Sequence, residues 1–265
     1  MSDMNVERLI LPVLLCAAMA SCTVKEDRGP CPCVLDIHLG NSGEIADKVA
    51  LSGWGEGAGR LFLDKVDPEQ YRDTYSKKVE KGFLRVNAYC GNEVMTLRGD
   101  KLIIPEGKAC DRVWAYKGAI VDATGESAEE HIVLHKQHAV IHVRVELPEG
   151  SESEVILRAK GTANGFDIST LEPSRGAFSC FASLDRDMHH LVCVPRQYDD
   201  SLEFEVFLDG LLCRTVKAGE LIANAGYSWT SEDLEDIYLS LSLFTPWEAS
   251  VAVNGWDTEI KTFTY

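Results

Sequence analysis

From Val34 onward the chain is written in short runs in which apolar and polar residues alternate, and this period of two restricts its fold more than any other feature. The clearest run covers 137–147. Ala139, Ile141, Val143, Val145 and Leu147 fall on one side of an extended chain, with His138, His142, Arg144 and Glu146 on the other. Pro148-Glu149-Gly150 then closes the run as a turn. The run beginning at Val34 has the same form, with Leu35, Ile37 and Leu39 on its apolar side. Strand-like runs follow at 49–54, 60–66, 83–90, 103–105, 112–121 and 130–134, then at 154–160, 176–183, 189–195, 202–208, 211–217, 237–244 and 249–253. Asp209-Gly210 between two of them is a two-residue hairpin signal. Helical patterns are confined to single turns at 220–224 and 231–236, and to a start at Asp67-Pro68-Glu69 that ends before Val79. Short strands at intervals of about ten residues predict an all-β chain of two tandem β-sandwiches, 34–134 and 135–265.

Ahead of these strands the sequence reads LILPVLLCAAMASC over 9–22. This apolar stretch is too short to span a membrane, which takes ~20 residues, and fits a secretory h-region of ~7–15. Small residues followed by Cys22 predict a lipoprotein signal peptide, 1–21, with diacylglycerol and an N-acyl lipid on Cys22 and a lipidated tether over 22–33. Met19 stands where such signals usually carry Leu, and Arg8 is the one basic residue ahead of the apolar stretch. The alternative is an ordinary cleaved signal with Cys22 unmodified. No later run is long enough for a span, so lipid at Cys22 would be the membrane attachment.

A net charge of −16 excludes nucleic acid as a natural partner, since phosphates would be repelled. Of nine cysteines, Cys16 leaves with the signal and Cys22 carries lipid. The remaining seven are an odd number, so at least one stays free, and the sequence fixes no pairing. Cys90, Cys193 and Cys213 lie in strand-like runs, where buried structural thiols are expected.

Motifs for chemistry fail on context. Gly53-x-Gly55-x-x-Ala58 matches a dinucleotide fingerprint, but a strand-like run follows it where the phosphate site needs a helix. His131, His135, His138 and His142 have the look of a metal set. On one strand, however, His138 and His142 stand ~13 Å apart, too far to chelate one ion. These histidines are read as facing solvent, with a metal bridging to another strand as the alternative. With no GxSxG, HExxH or P-loop, no catalytic residue, cofactor or metal is expected, and the chain is not read as an enzyme. Trp54, Trp114, Trp229, Trp247 and Trp256 are read as core residues, with a sugar-stacking platform as the alternative.

Several stretches together resemble the FimB/Mfa2 family of fimbrial anchor proteins from Bacteroidales. They are Asp27-Arg28-x-x-Cys31-Pro32 running into Val34-Leu35-Asp36-Ile37, the segment 84–91, Lys136-Gln137-His138-Ala139-Val140-Ile141-His142-Val143, Val194-Pro195-Arg196, Gly226-Tyr227-Ser228-Trp229, Asp233-Leu234-Glu235-Asp236-Ile237 and Val253-Asn254-Gly255-Trp256. The resemblance implies two transthyretin-like sandwiches, an outer-membrane lipid anchor and a place at the base of a type V fimbrium. Lys25-Glu26-Asp27, just after the lipidated Cys, resembles the signal that sends such lipoproteins to the cell surface. The implied function is to attach the fimbrial shaft to the cell, with a role in limiting its length, through contact with a shaft or accessory pilin. A surface glycan-binding lipoprotein is the alternative. In the tail, Ile260, Thr262 and Thr264 share one face of an extended strand, and Phe263 and Tyr265 the other. This segment is expected either to dock on the first shaft subunit or to form the chain's own edge strand.

Overall fold

In the computed structural model, Leu35, Ile37 and Leu39 are buried while Val34, Asp36 and His38 are half-exposed. The alternation read from the sequence thus becomes the two faces of strand β1 (Cys33–Leu39). The structure describes residues 31–40, 47–57, 59–67, 74–187, 189–243 and 248–253, with the backbone alone of 261–264. The leader, Cys22, the tether up to Pro30, the stretch 68–73, Trp247, Trp256, Ile260 and Tyr265 lie outside the described residues.

In the first sandwich β1 is central in a three-stranded sheet. It pairs antiparallel with β4 (Tyr75–Val79) and parallel with β9 (Ser127–Ile132). The facing sheet has the order β10 (His135–Lys136), β8 (Trp114–Asp122), β5 (Phe83–Cys90), β2 (Val49–Gly55), β3 (Gly59–Val66). Leu35, Ile37, Leu51, Leu84, Val86 and Ile132 fill the space between the two sheets. Strands β2 and β3 form an antiparallel hairpin through the glycine-rich stretch, so these glycines serve a turn and not a phosphate. The other face of the five-stranded sheet is also covered: Ala50, Tyr89 and Ala115 belong to the second core. This explains why β2 is buried on both faces for five residues in succession.

Between β5 and β8 the chain crosses over. Strands β6 (Thr96–Arg98) and β7 (Lys101–Ile103) join the sheet of the second sandwich, through β12 (Val155–Asp167). Met95, Leu102, Ile104, Cys110 and Val113 are therefore in the second core although they lie within 34–134. The crossover is held at its root by Asp111, whose carboxylate accepts the backbone N–H groups of Glu93, Val94 and Met95 at 2.6–2.9 Å. Gly165 lets β7 approach β12: its φ is +150°, and a Cβ there would lie 1.9 Å from the Leu102 carbonyl oxygen.

One sheet of the second sandwich has the order β14 (Ser183–Leu184), β15 (His190–Pro195), β11 (His138–Glu146), β18 (Ile237–Ser242), β19 (Glu248–Val253), β20 (Lys261–Thr264). The other runs β17 (Leu211–Val216), β16 (Glu203–Leu208), β12, β7, β6, with β13 (Pro173–Phe181) on the opposite side of β12. Ala139, Ile141 and Val143 face the core as expected. The short helix α1 (Ala218–Asn224) covers one end of the core with Leu221 and Ile222. Burial of aliphatic and aromatic side chains such as Phe166, Phe204 and Ile141 contributes about 1.5–3 kcal/mol each.

Three expectations are corrected. Residues 231–236 form bends and irregular chain, not a helical turn, because their polar side chains are drawn into a network with β10 and β11. His138 does not face solvent. It is 2% exposed, with Nδ1 3.1 Å from the Val113 carbonyl oxygen and its ring edge-on to Trp114. Cys213 is exposed on β17, whose first five residues are left uncovered by the described residues; Cys90 is buried and Cys193 half-buried.

Candidate functional site

Four of the stretches that carried the family resemblance, spread from 136 to 237, meet in one polar network. Buried Arg196 donates to the Gln137 side-chain oxygen at 2.9 Å and to the carbonyls of Ser231 at 2.8 Å, Glu232 and Trp229. Asp233 accepts the Lys136 backbone N–H at 2.6 Å and faces His135 Nδ1 at 3.0 Å. Asp236 accepts the Lys136 ammonium at 2.6 Å and the Val140 N–H at 2.9 Å. Burial opposes the Asp236 charge, but these donors outweigh it and hold the carboxyl below its usual range. These hydrogen bonds fix the 226–236 loop to β10 and β11, while the buried Trp229 indole nitrogen stays unpartnered. The network ties the loop to the sheet.

The features that invite a partner are sheet edges. At Asp209-Gly210 both residues have positive φ, 50° and 80°, as a type I′ hairpin requires. The Asp209 carboxylate accepts the Glu154 N–H at 2.9 Å and so fixes the hairpin to β12. Beyond the turn, β17 is exposed over its first five residues, with Leu211 75% and Leu212 55% accessible. Among the described strands it pairs only with β16. Leu212 stands opposite Phe207 in the ladder, and the Arg158 guanidinium lies 5.2 Å from the Phe207 ring and 5.8 Å from that of exposed Phe181. Arg158 and Lys160 converge on Glu205. Burial works against this carboxylate's charge, and its hydrogen bonds to the two cations lower its pKa overall. An apolar edge beside a charged ladder suits the addition of an extended strand.

The tail forms the other edge. Backbone pairing sets Thr262 opposite Ser250, Phe263 opposite Ala249 and Thr264 opposite Glu248, so β20 is the terminal strand of the chain's own sheet. Ile260, Tyr265 and Cys22 lie outside the described residues. The exposed edge at β17 was not picked out from the sequence, although a leucine pair directly after the hairpin turn was a visible signal.

The described tryptophans are all half-buried. Trp114 packs on His138, and Trp229 packs edge-on to Tyr227 at 4.8 Å. Trp54 lies under the Arg60 guanidinium and lines a groove of about 500 Å³ with exposed Phe83 and Ile120.

This architecture recurs in solved proteins. A candidate polysaccharide-binding protein from Bacteroides thetaiotaomicron is similar over 87% of this chain and 98% of its own, with a TM-score of 0.64 and 14% identity. A candidate adhesin from Bacteroides ovatus is similar over 91% and 97%, with a TM-score of 0.63 and 10% identity. The fimbrial anchor protein Mfa2 from Porphyromonas gingivalis is similar over 85% and 98%, with a TM-score of 0.61 and 11% identity. The fold is shared with Mfa2. No protein-family model matches the chain, and no curated protein matches it in sequence.

Proposed function

We propose that this chain is a fimbrial anchor subunit, a lipoprotein held in the outer membrane through Cys22 and exposed at the cell surface. The reading is supported above all by the shared fold with Mfa2, which extends through both sandwiches. Its action is mechanical: acyl chains hold the N-terminus in lipid while the second sandwich holds a shaft or accessory pilin. A single acyl chain binds a membrane only marginally, so a stable tether requires more than one. The apolar edge at β17 and the terminal strand β20 are the proposed contact surfaces, with Ile260, Thr262, Phe263, Thr264 and Tyr265 at the second of them. Such an anchor requires no catalytic group, cofactor or nucleic acid.

Cell fractionation of Cys22→Ala tests the anchor. The variant is expected to fold and to leave the membrane fraction, because Cys22 precedes both sandwiches. Membrane retention equal to that of the unaltered chain would overturn lipid anchoring. Pull-down of the native chain from its membrane is expected to recover pilin subunits. A second reading, glycan binding, is favoured by the groove of Trp54, Phe83 and Ile120. Binding on a glycan array that disappears in Trp54→Ala, together with no pilin recovered, would select it.

A further inference from the structure

Parallel pairing of β1 with β9 sets His38 directly opposite His131 and Asp36 opposite Glu129. Side chains two apart on a strand share a face, so Glu129 stands beside His131 on the side toward which His38 also projects. The two imidazole rings stack at 4.7 Å between centroids and 18° between planes. One ligand atom from each of His38, Glu129 and His131 lies within 4.8 Å of the others. Neighbouring strands are ~4.8 Å apart, whereas residues four apart on one strand are separated by ~13 Å. Cross-strand placement therefore achieves what histidine spacing along a single strand cannot.

We propose that His38, Glu129 and His131 form a binding site for a divalent first-row metal ion of the zinc class, with water in the fourth position. Two imidazoles and a carboxylate are a donor set that suits zinc, whose bonds to N and O are ~2.0–2.2 Å. A tetrahedral centre of that size places its ligand atoms ~3.3 Å apart. The present separations close to that value by side-chain rotation, which half-exposed and exposed residues accommodate without disturbing the core. One ring is already oriented: Thr74 Oγ1 lies 3.1 Å from His38 Nδ1. A proton on Nδ1 donated to that hydroxyl leaves the Nε2 lone pair for the metal, and hydrogen bonds of this kind orient metal-binding histidines. Other surface histidines have different surroundings. His135 faces Asp233, and His142 stacks on Tyr238. Among the described residues, His38, Glu129 and His131 are the one group in which three such donors converge.

The test is calorimetric titration of the purified full-length chain with zinc chloride, thiols kept reduced, together with the visible spectrum of the chain loaded with cobalt(II). One ion per chain is expected at this site. Its cobalt spectrum should show the ligand-field bands of nitrogen and oxygen donors and lack thiolate charge transfer, which separates it from binding at Cys31 or Cys213. His38→Ala and His131→Ala should each weaken binding at least ~10-fold, since even residues that only support a ligand contribute that much. His135→Ala should leave it unchanged. Circular dichroism of each variant establishes that it is folded. The proposal is overturned by absence of binding at millimolar zinc. It is equally overturned if both folded variants bind as tightly as the unaltered chain, or if the spectrum of the bound ion is that of a thiolate site.

Discussion

His138 illustrates how one side chain couples this fold to pH. It donates from Nδ1 to the Val113 carbonyl, which belongs to the crossover, while its ring packs on Trp114. Burial, the dominant cause, pushes its pKa down to about 4 from an ordinary value near 6.5. Between those values the unfolded chain binds the proton and the folded chain does not. Stability from this residue is therefore complete above about pH 6.5 and falls as the pH drops toward 4. A difference of this size corresponds to about 3 kcal/mol, at about 1.4 kcal/mol per pH unit. Buried His190 is lowered in the same direction and adds to the effect. We expect urea denaturation at pH 7.5 and pH 5 to show a smaller loss for His138→Asn than for the unaltered chain, since asparagine keeps a donor and cannot titrate. Equal losses would mean that His138 is not buried as a neutral ring. Asp236 acts at lower pH: its folded pKa is depressed, so its contribution is present above about 3.9 and is lost on further acidification.

At the scale of elements, the crossover and the tail make separable predictions. Gly165→Ala puts a Cβ against the Leu102 carbonyl at a positive φ, straining the joint between β7 and β12. The cost is about 2–3 kcal/mol. This corresponds to a fall in Tm of roughly 4–12 °C for a chain of this size, and calorimetry would detect it. An unchanged Tm would show that β7 does not pair where the structure sets it. Removing 258–265 takes away β20, an edge strand bonded to β19 alone among the described strands. If β20 serves docking, the truncated chain stays folded and its fimbriae detach into the medium. A lower Tm in isolation with fimbriae still attached would mean that β20 serves the chain's own sheet and no docking. The hairpin at Asp209-Gly210 was legible because its turn chemistry is local. The crossover was not, because three-residue strands carry too little pattern to announce their partner.

For the whole molecule, assembly is the property at stake. Replacing Leu211 and Leu212 together with lysine adds charge to an exposed edge and leaves the core untouched, so Tm should hold. If the β17 edge receives a partner strand, shaft attachment in cells should fall at least ~10-fold, matching loss of about 1.4 kcal/mol or more of contact energy. Full attachment would remove β17 from the interface. Sequence alone determined the all-β character, most of the longer strands, and which face of β1 and β11 is apolar; β4 lies where a helical start is read, and the short strands β6, β10 and β14 carry too little pattern to be read. The legible features depend on period and turn residues, which act within a few positions along the chain. Tertiary structure alone decided that 95–113 completes the second core, that His138 is buried, that Arg196 ties Gln137 to the 229–232 segment and that His38 meets His131. Each of these depends on strand order and register, set by how whole sheets bury their apolar faces against one another and carried by no single segment.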